Sequence, residues 1–409
     1  MNRRLSYCCC CCSSSSSSLF RSLIRQAFNS FLFGPSEPKS NIFLNLFLLP
    51  PNQSFSSLRF FNSGSSLSSR RPDAFTVSYL VERLGLSQEA AQSAAKSMSL
   101  RSSSRPDSVV ELLGNYSFSQ VQISYIIQKV PKILTYRPEE ILSPKLDFLR
   151  SKGFSVAGLR KVISGCPRIL VRSLEGHIIP SFDFISSLIR SDMKTLCTIK
   201  RCPSLLDVDV KTSIVPKMNL FREHGVPEQN LGFFLAGQPW QVRTPNDRFK
   251  DILERVKAMG ISSSKVIFVI AVHVFGQLSK TTWDRKLEVY SRWGWSEAMT
   301  LRTFAKYPWC MLISEAKITA VMDYYTREMG LESSHIAEHP LFMSLSLKKR
   351  IIPRCSVIKA LRSKGLIADI NLYAALCMPE EKFLKKYVSR FPLESSNLLK
   401  EVEPRKRNY

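Results

Sequence analysis

The chain has 409 residues, 44% of them hydrophobic, and carries 58 Lys and Arg against 33 Asp and Glu, a net charge of +25. That hydrophobic content excludes a disordered chain, and the cationic surplus points to a polyanionic partner: nucleic acid, an acidic membrane surface or an acidic protein. The apolar run IFLNLFLL at 42–49 is too short to span a bilayer and no other apolar run reaches about 18 residues, so a soluble protein with no membrane partner is expected.

Residues 1–70 contain 19 Ser, seven Lys and Arg, and a single acid, Glu37. A Ser-rich, acid-poor leader reads as an organellar transit peptide, with LFRSLIRQAF (19–28) as the amphipathic piece an import receptor would recognise. Such a leader serves mitochondria and chloroplasts alike; Arg3 and Arg4 tilt the expectation to mitochondria, with the chloroplast as the alternative. Without it the chain still holds 51 Lys and Arg against 32 acids, so the basic surplus belongs to the folded part.

A less regular helical unit comes first: FTVSYLVERLGLS (75–87), QEAAQSAAKSM (88–98) and RPDSVVELLG (105–114). A repeat then begins. VPKIL (130–134) returns as CPRIL (166–170) and CPSLL (202–206), so that Pro131, Pro167, Pro203 and Pro239 stand 36 residues apart. Phe275 replaces the next proline, leaving the geometry around 270–310 open, and the phrase resumes at Pro308 and Pro340. A second set, Pro144, Pro180, Pro216 and Pro353, keeps its own phase 13 residues after a motif proline. A glycine closes each of several matching phrases, RSKGFS (150–155) and REHGVP (222–227) among them.

Each mark has a physical job. In SPKLDFLRSKG (143–153) Ser143 is expected to cap a helix, Pro144 to sit in its first turn and Gly153 to end it in the left-handed region. Ser155 then caps a second helix, which Pro167 stops. The residues after the stop form a short turn whose apolar pair, with Leu134, Leu170 and Leu206 at its end, plugs the seam between helical hairpins. One such unit cannot bury its apolar face alone, so the units stack. MPEEKFLKKYVSRF (378–391) reads as a C-terminal capping helix. The expected organisation is a leader at 1–70, a helical-repeat domain at 71–391 and a basic tail at 392–409.

These phrases, with the opening FTVSYLVERLGLSQEAA and RPDSVVELL, resemble the mitochondrial transcription termination factor (mTERF) family, in particular its plant organellar branch. The resemblance covers roughly residues 73–390. It implies an all-α fold, stacked repeats of about 32–36 residues forming a left-handed superhelical solenoid of helical triplets, two α-helices and a short third. It also implies nucleic-acid binding along a basic concave face, in transcription termination or initiation or in intron splicing.

No catalytic signature is present: the chain lacks GxxxxGK[ST], HExxH and GxGxxG, and no enzyme activity, cofactor or metal is expected. Five of the eleven cysteines form the run Cys8–Cys12 and the other six are scattered without CxxC spacing. The histidines, His177, His224, His273, His335 and His339, fall at unrelated repeat phases and read as surface or packing residues. The five tryptophans read mainly as core. Basic residues at matching phases form three candidate rows: Lys129, Arg201 and Lys306; Arg150, Arg222 and Lys359; and Lys145, Lys217 and Arg354. Such rows suit a backbone of regularly spaced phosphates. The expected partner of this monomer is duplex DNA in organellar transcription. RNA, in intron splicing or RNA stability, and a protein-binding scaffold are the alternatives.

Overall fold

The computed structural model describes residues 73–368, 370–392 and 394. The expected transit peptide and most of the basic tail lie outside the described residues. Within them, all regular structure is helical, and no single helix is long and apolar enough to cross a membrane. The helices form two compact units. One holds the described residues of Pro51–Asn219 together with Leu231–Thr244; the other holds Leu220–Asn230 and the described residues of Pro245–Tyr409.

The repeat is clearest in the first unit. Helix Gln120–Lys129 starts on a capping box between Ser119 and Gln122 and buries Ile123, Ile126 and Ile127. Its last partner is Val130, which leaves the helical region at φ −140° because the next residue, proline, crowds its backbone. Pro131 opens the 3₁₀ turn Pro131–Thr135, which buries Ile133 and Leu134 completely. The pattern recurs one period on, where Ser155 caps helix Val156–Gly165 through the Gly158 amide and Pro167 opens turn Pro167–Val171. It recurs again as helix Asp192–Arg201 and turn Pro203–Leu206. Leu170 and Leu206 are as fully enclosed as Leu134. Further 3₁₀ turns open at Pro239, Pro308 and Pro340. The three second helices of this unit, 120–129, 156–165 and 192–201, pack side by side, and the first two also pack against the next repeat's turn.

The entry to each first helix differs from the sequence expectation. Ser143 does not cap helix Ser143–Ser151, because the helical path begins a turn earlier, in the wide π-type turn Pro138–Leu142. Equivalent turns Leu174–Ile178 and Val210–Ile214 lead into helices Ile179–Ile189 and Val215–Glu223. The capping side chains therefore stand before the wide turn: Ser173, Asp209 and, in the last repeat, Ser346. The hydroxyl of Ser143 instead donates to Asp147, 3.2 Å away. Gly153 ends its helix at φ +98°, whereas helix Ile179–Ile189 ends on Arg190 at φ +54°, a conformation in which a side chain is strained. Gly232 is required for a different reason. A Cβ there would meet the Leu188 carbonyl oxygen at 2.2 Å, so glycine lets two helices approach backbone to backbone.

In the second unit, helices Val266–Gln277, Glu297–Lys306 and Ser333–Glu338 pack in succession. At position 275 no turn forms. Helix Val266–Gln277 runs straight through it, with Phe268 to Val274 buried, and Phe275 rests 5.0 Å from Trp283. Helix Glu380–Tyr387 closes this unit by setting Phe383, Tyr387 and Val388 on Val357, Ile358 and Leu361.

Truncating a seam plug removes fully buried methyl groups from a site that cannot collapse. Leu134→Ala is expected to lower the unfolding free energy by about 2–5 kcal/mol. Val121→Ala, at a position 80% exposed, should change it by less than about 0.5 kcal/mol. Urea denaturation of both variants checks this, and an unchanged midpoint for Leu134→Ala would remove the seam role.

Candidate nucleic-acid interface

The three basic rows meet different fates. In the third, Lys145, Lys217 and Arg354 are interior residues, a correction to their reading as a phosphate-facing row. Helical spacing explains it: Leu142, Lys145, Leu146 and Leu149 share one buried face, as do Ile214, Lys217, Met218 and Phe221, and Ile351, Arg354, Cys355 and Ile358. Each long side chain threads its methylenes through that face and delivers its charge to backbone oxygens. Lys145 Nζ donates to the Leu170 carbonyl at 2.6 Å, and Lys217 Nζ to the Ser213 carbonyl at 3.0 Å. Arg354 donates to the carbonyls of Ala375, Leu376 and Met378 and pairs with Glu380 at 2.5 Å.

Two more lysines, which follow no second proline but stand 22 and 23 residues before Pro308 and Pro340 as Lys145 stands 22 before Pro167, act the same way. Lys286 donates to the Ile313 carbonyl, and Lys317 to that of Ser344 at 2.9 Å. These carbonyls, like that of Leu170, lie at the ends of 3₁₀ turns, where no further helical turn exists to use them. Burial pushes all four lysines below their ordinary proton affinity, Lys217 to about 8.

The first row is split. Lys129 and Lys306 are exposed, whereas Arg201 turns inward and donates to the carbonyls of Ala236 and Gly237 at the end of helix Glu228–Gly237. The second row stays at the surface. Arg150 lies over the Tyr116 ring, Arg222 pairs with Glu228 at 2.6 Å, and Lys359 reaches the Glu328 carbonyl and carboxylate. Arg168 and Arg172, one period before Asp207, are drawn together by its nearly buried carboxylate at 3.2 and 2.8 Å.

A denser patch follows no repeat phase. Residues 347–391 hold eleven Lys and Arg against three acids, an excess that a simple charge count along the sequence reveals. Arg350 and Arg354 tie turn Leu347–Ile351 and helix Ile352–Ser363 to the carbonyls of 375–378, so these elements adjoin helix Glu380–Tyr387. Lys349, Lys382 and Lys385 on these adjoining elements, and Arg390 just after the helix, are exposed, and none forms an ion pair among the described residues.

The mTERF family model matches residues 110–322 and 277–384, which together span about two thirds of the sequence. The chain belongs to the mTERF family. Its stacked helical repeats are those of a helical solenoid, and a plant organellar relative is consistent with this. The chain is 31% identical over 88 residues to "Transcription termination factor MTERF15, mitochondrial" of Arabidopsis thaliana, a stretch covering 21% of this chain and 20% of that relative.

In this mTERF chain the motif prolines open the turns after the second helices, and Leu134, Leu170 and Leu206 are buried in them. The tryptophans divide. Trp295 and Trp309 are buried and Trp283 and Trp293 half-buried, but Trp240 is 44% exposed with the Arg201 guanidinium 5.9 Å from its ring. A cleft of about 500 Å³ lies at the break in the repeat, lined in part by Arg248, Arg255, Phe275, Lys280 and Trp283. The cysteines Cys310, Cys355 and Cys377 are raised by burial, the last two to about 12, so none of these three is an activated nucleophile.

The interior lysines give a signed pH effect. Lys217 holds its proton less tightly folded, near 8, than unfolded, near 10.5, so between those values the unfolded chain binds more protons and stability rises with pH. The stability of the parent relative to Lys217→Met is therefore expected to increase from pH 8 to about pH 10.5 and to be flat below pH 7. Urea unfolding of both proteins across this range is the check; a parallel pH dependence would mean the ammonium is not desolvated.

Proposed function

We propose that this mTERF protein is an organellar nucleic-acid-binding protein that contacts duplex DNA through its exposed cations and regulates organellar transcription, at termination or initiation. The observation that carries the reading is the concentration of positive charge that the fold leaves without partners, above all Lys349, Lys382, Lys385 and Arg390. Such charge attracts a phosphate backbone and releases its counterions on binding. Lys129 and Lys306 of the first row and Arg150 of the second, all exposed and without an ion pair to an acid among the described residues, would add to it. The mitochondrial transcription termination factor of Arabidopsis supports both the process and the organelle, with mitochondria favoured over chloroplasts.

Single-stranded RNA, in intron splicing or RNA stability, is the second reading. It is favoured by exposed Trp240 and by the cleft where Phe275 and Trp283 adjoin Arg248 and Lys280, since aromatic rings beside cations stack on unpaired bases. A protein scaffold would need no such charge.

Binding of the purified protein to matched duplex DNA and single-stranded RNA, titrated across salt, separates the readings. Duplex DNA is expected to bind more tightly, with a log–log salt slope of about −0.9 per phosphate contacted. Lys382→Glu combined with Lys385→Glu should flatten that slope by about 2. Tighter binding to RNA, weakened by Trp240→Ala, would move the target to transcripts. Salt-independent or absent binding to both would overturn the nucleic-acid reading.

A further inference from the structure

Helix Ser333–Glu338 and the residue after it read His-Ile-Ala-Glu-His, from His335 to His339. Ile336 and Ala337 are buried, which turns positions i, i+3 and i+4 of this single turn, His335, Glu338 and His339, towards one edge. The donor atoms of the three side chains all lie within 4.8 Å of one another, and the two imidazole centroids are 4.8 Å apart. The rings of Phe342 and Tyr373, 6.0 and 4.9 Å from that of His339, hold its imidazole in place.

No side-chain hydrogen bond engages either imidazole, and Glu338 forms no ion pair, among the described residues. Three groups that normally seek partners thus stand together with their lone pairs unused.

We propose that His335, Glu338 and His339 form a binding site for one divalent transition-metal ion of the zinc class, with solvent in the remaining position. Two nitrogens and one carboxylate oxygen suit zinc and its neighbours, whereas calcium and magnesium take oxygen ligands. Bonds of about 2.0–2.2 Å require the donors to draw to roughly 3.3 Å apart, which side-chain rotation at the helix edge supplies. Chelation across i and i+4 would also stiffen a six-residue helix that is too short to hold itself, and with it the adjoining turn Pro340–Ser344.

The test is zinc titration of the full chain against a chromophoric chelator, in parallel with His335→Gln and Glu338→Gln. The cysteines are the same in all three proteins, so whatever zinc they bind cancels in the comparison. The parent is expected to take up one more equivalent than His335→Gln, and Glu338→Gln to hold that equivalent at least about tenfold more weakly. Zinc should raise the melting temperature of the parent and leave that of His335→Gln unmoved. Equal stoichiometry and equal zinc-induced shifts in parent and His335→Gln would overturn the site. Glu338 is exposed and unpaired, so its variant tests the ligand set without disturbing the packing.

Discussion

Everything in this fold depends on how a second helix is stopped. Proline at the stop removes a donor and forces the preceding residue into extended geometry, so the chain cannot continue as an α-helix. It enters a 3₁₀ turn instead, which points two apolar side chains inward, Ile133 and Leu134 in the first instance. That turn leaves carbonyl oxygens at its end with no helical donor. In several repeats a lysine from a first helix supplies one, crossing the apolar face to do so, as Lys145 does for Leu170 and Lys317 for Ser344. The seam is thus closed twice, by buried hydrocarbon and by a cation–carbonyl hydrogen bond. The second closure is costly unless complete, since an interior ammonium without an acceptor would not keep its charge.

This arrangement divides the basic residues into two populations with different work. Interior cations are consumed by the fold: Lys145, Lys217, Lys286, Lys317, Arg201 and Arg354 all end on backbone oxygens. Only what remains outside is available to a polyanion, and a net charge read from composition overstates it. The surplus is still large where helix Glu380–Tyr387 and turn Leu347–Ile351 adjoin, because their acids are few and their lysines are exposed. The closing helix of the unit is therefore also part of a cationic surface, a placement consistent with a terminal element that must keep an outward face polar.

Much of this was legible in the residues. The proline period located the second helices and their turns, the Ile-Leu pairs identified the seams, and Ser155 marked a cap the structure retains. The wide turns were not legible, because they share no recurring proline or glycine: Pro138 opens one, Gly176 lies inside the next and Val210–Ile214 has neither; only the period of Arg137, Ser173 and Asp209 hints that the helical path opens six residues earlier than Ser143. Reading cations by repeat phase alone placed Lys145, Lys217 and Arg354 at the surface. Repeat phase says that residues are equivalent, not which way they face. The 3.6-residue period does say so, and Leu142, Leu146 and Leu149 around Lys145 already assigned it to the core.

The interruption at Phe275 shows the same logic from the other side. Without proline the helix Val266–Gln277 has no reason to stop, and its sequence, IFVIAVHVF from 267 to 275, is apolar on every side. The helix runs on and takes the space a turn would occupy. Its buried His273 stays neutral, its proton affinity pushed down to about 3 by desolvation, with Gln277 3.1 Å from its Nε2. With no turn to carry an apolar plug, the neighbouring seam is filled only partly, by Phe275 against Trp283 and Trp283 against Phe304. A cleft remains where the motif proline is missing, lined in part by Phe275 and Trp283, so among the described residues a recess of this unit coincides with its irregular repeat.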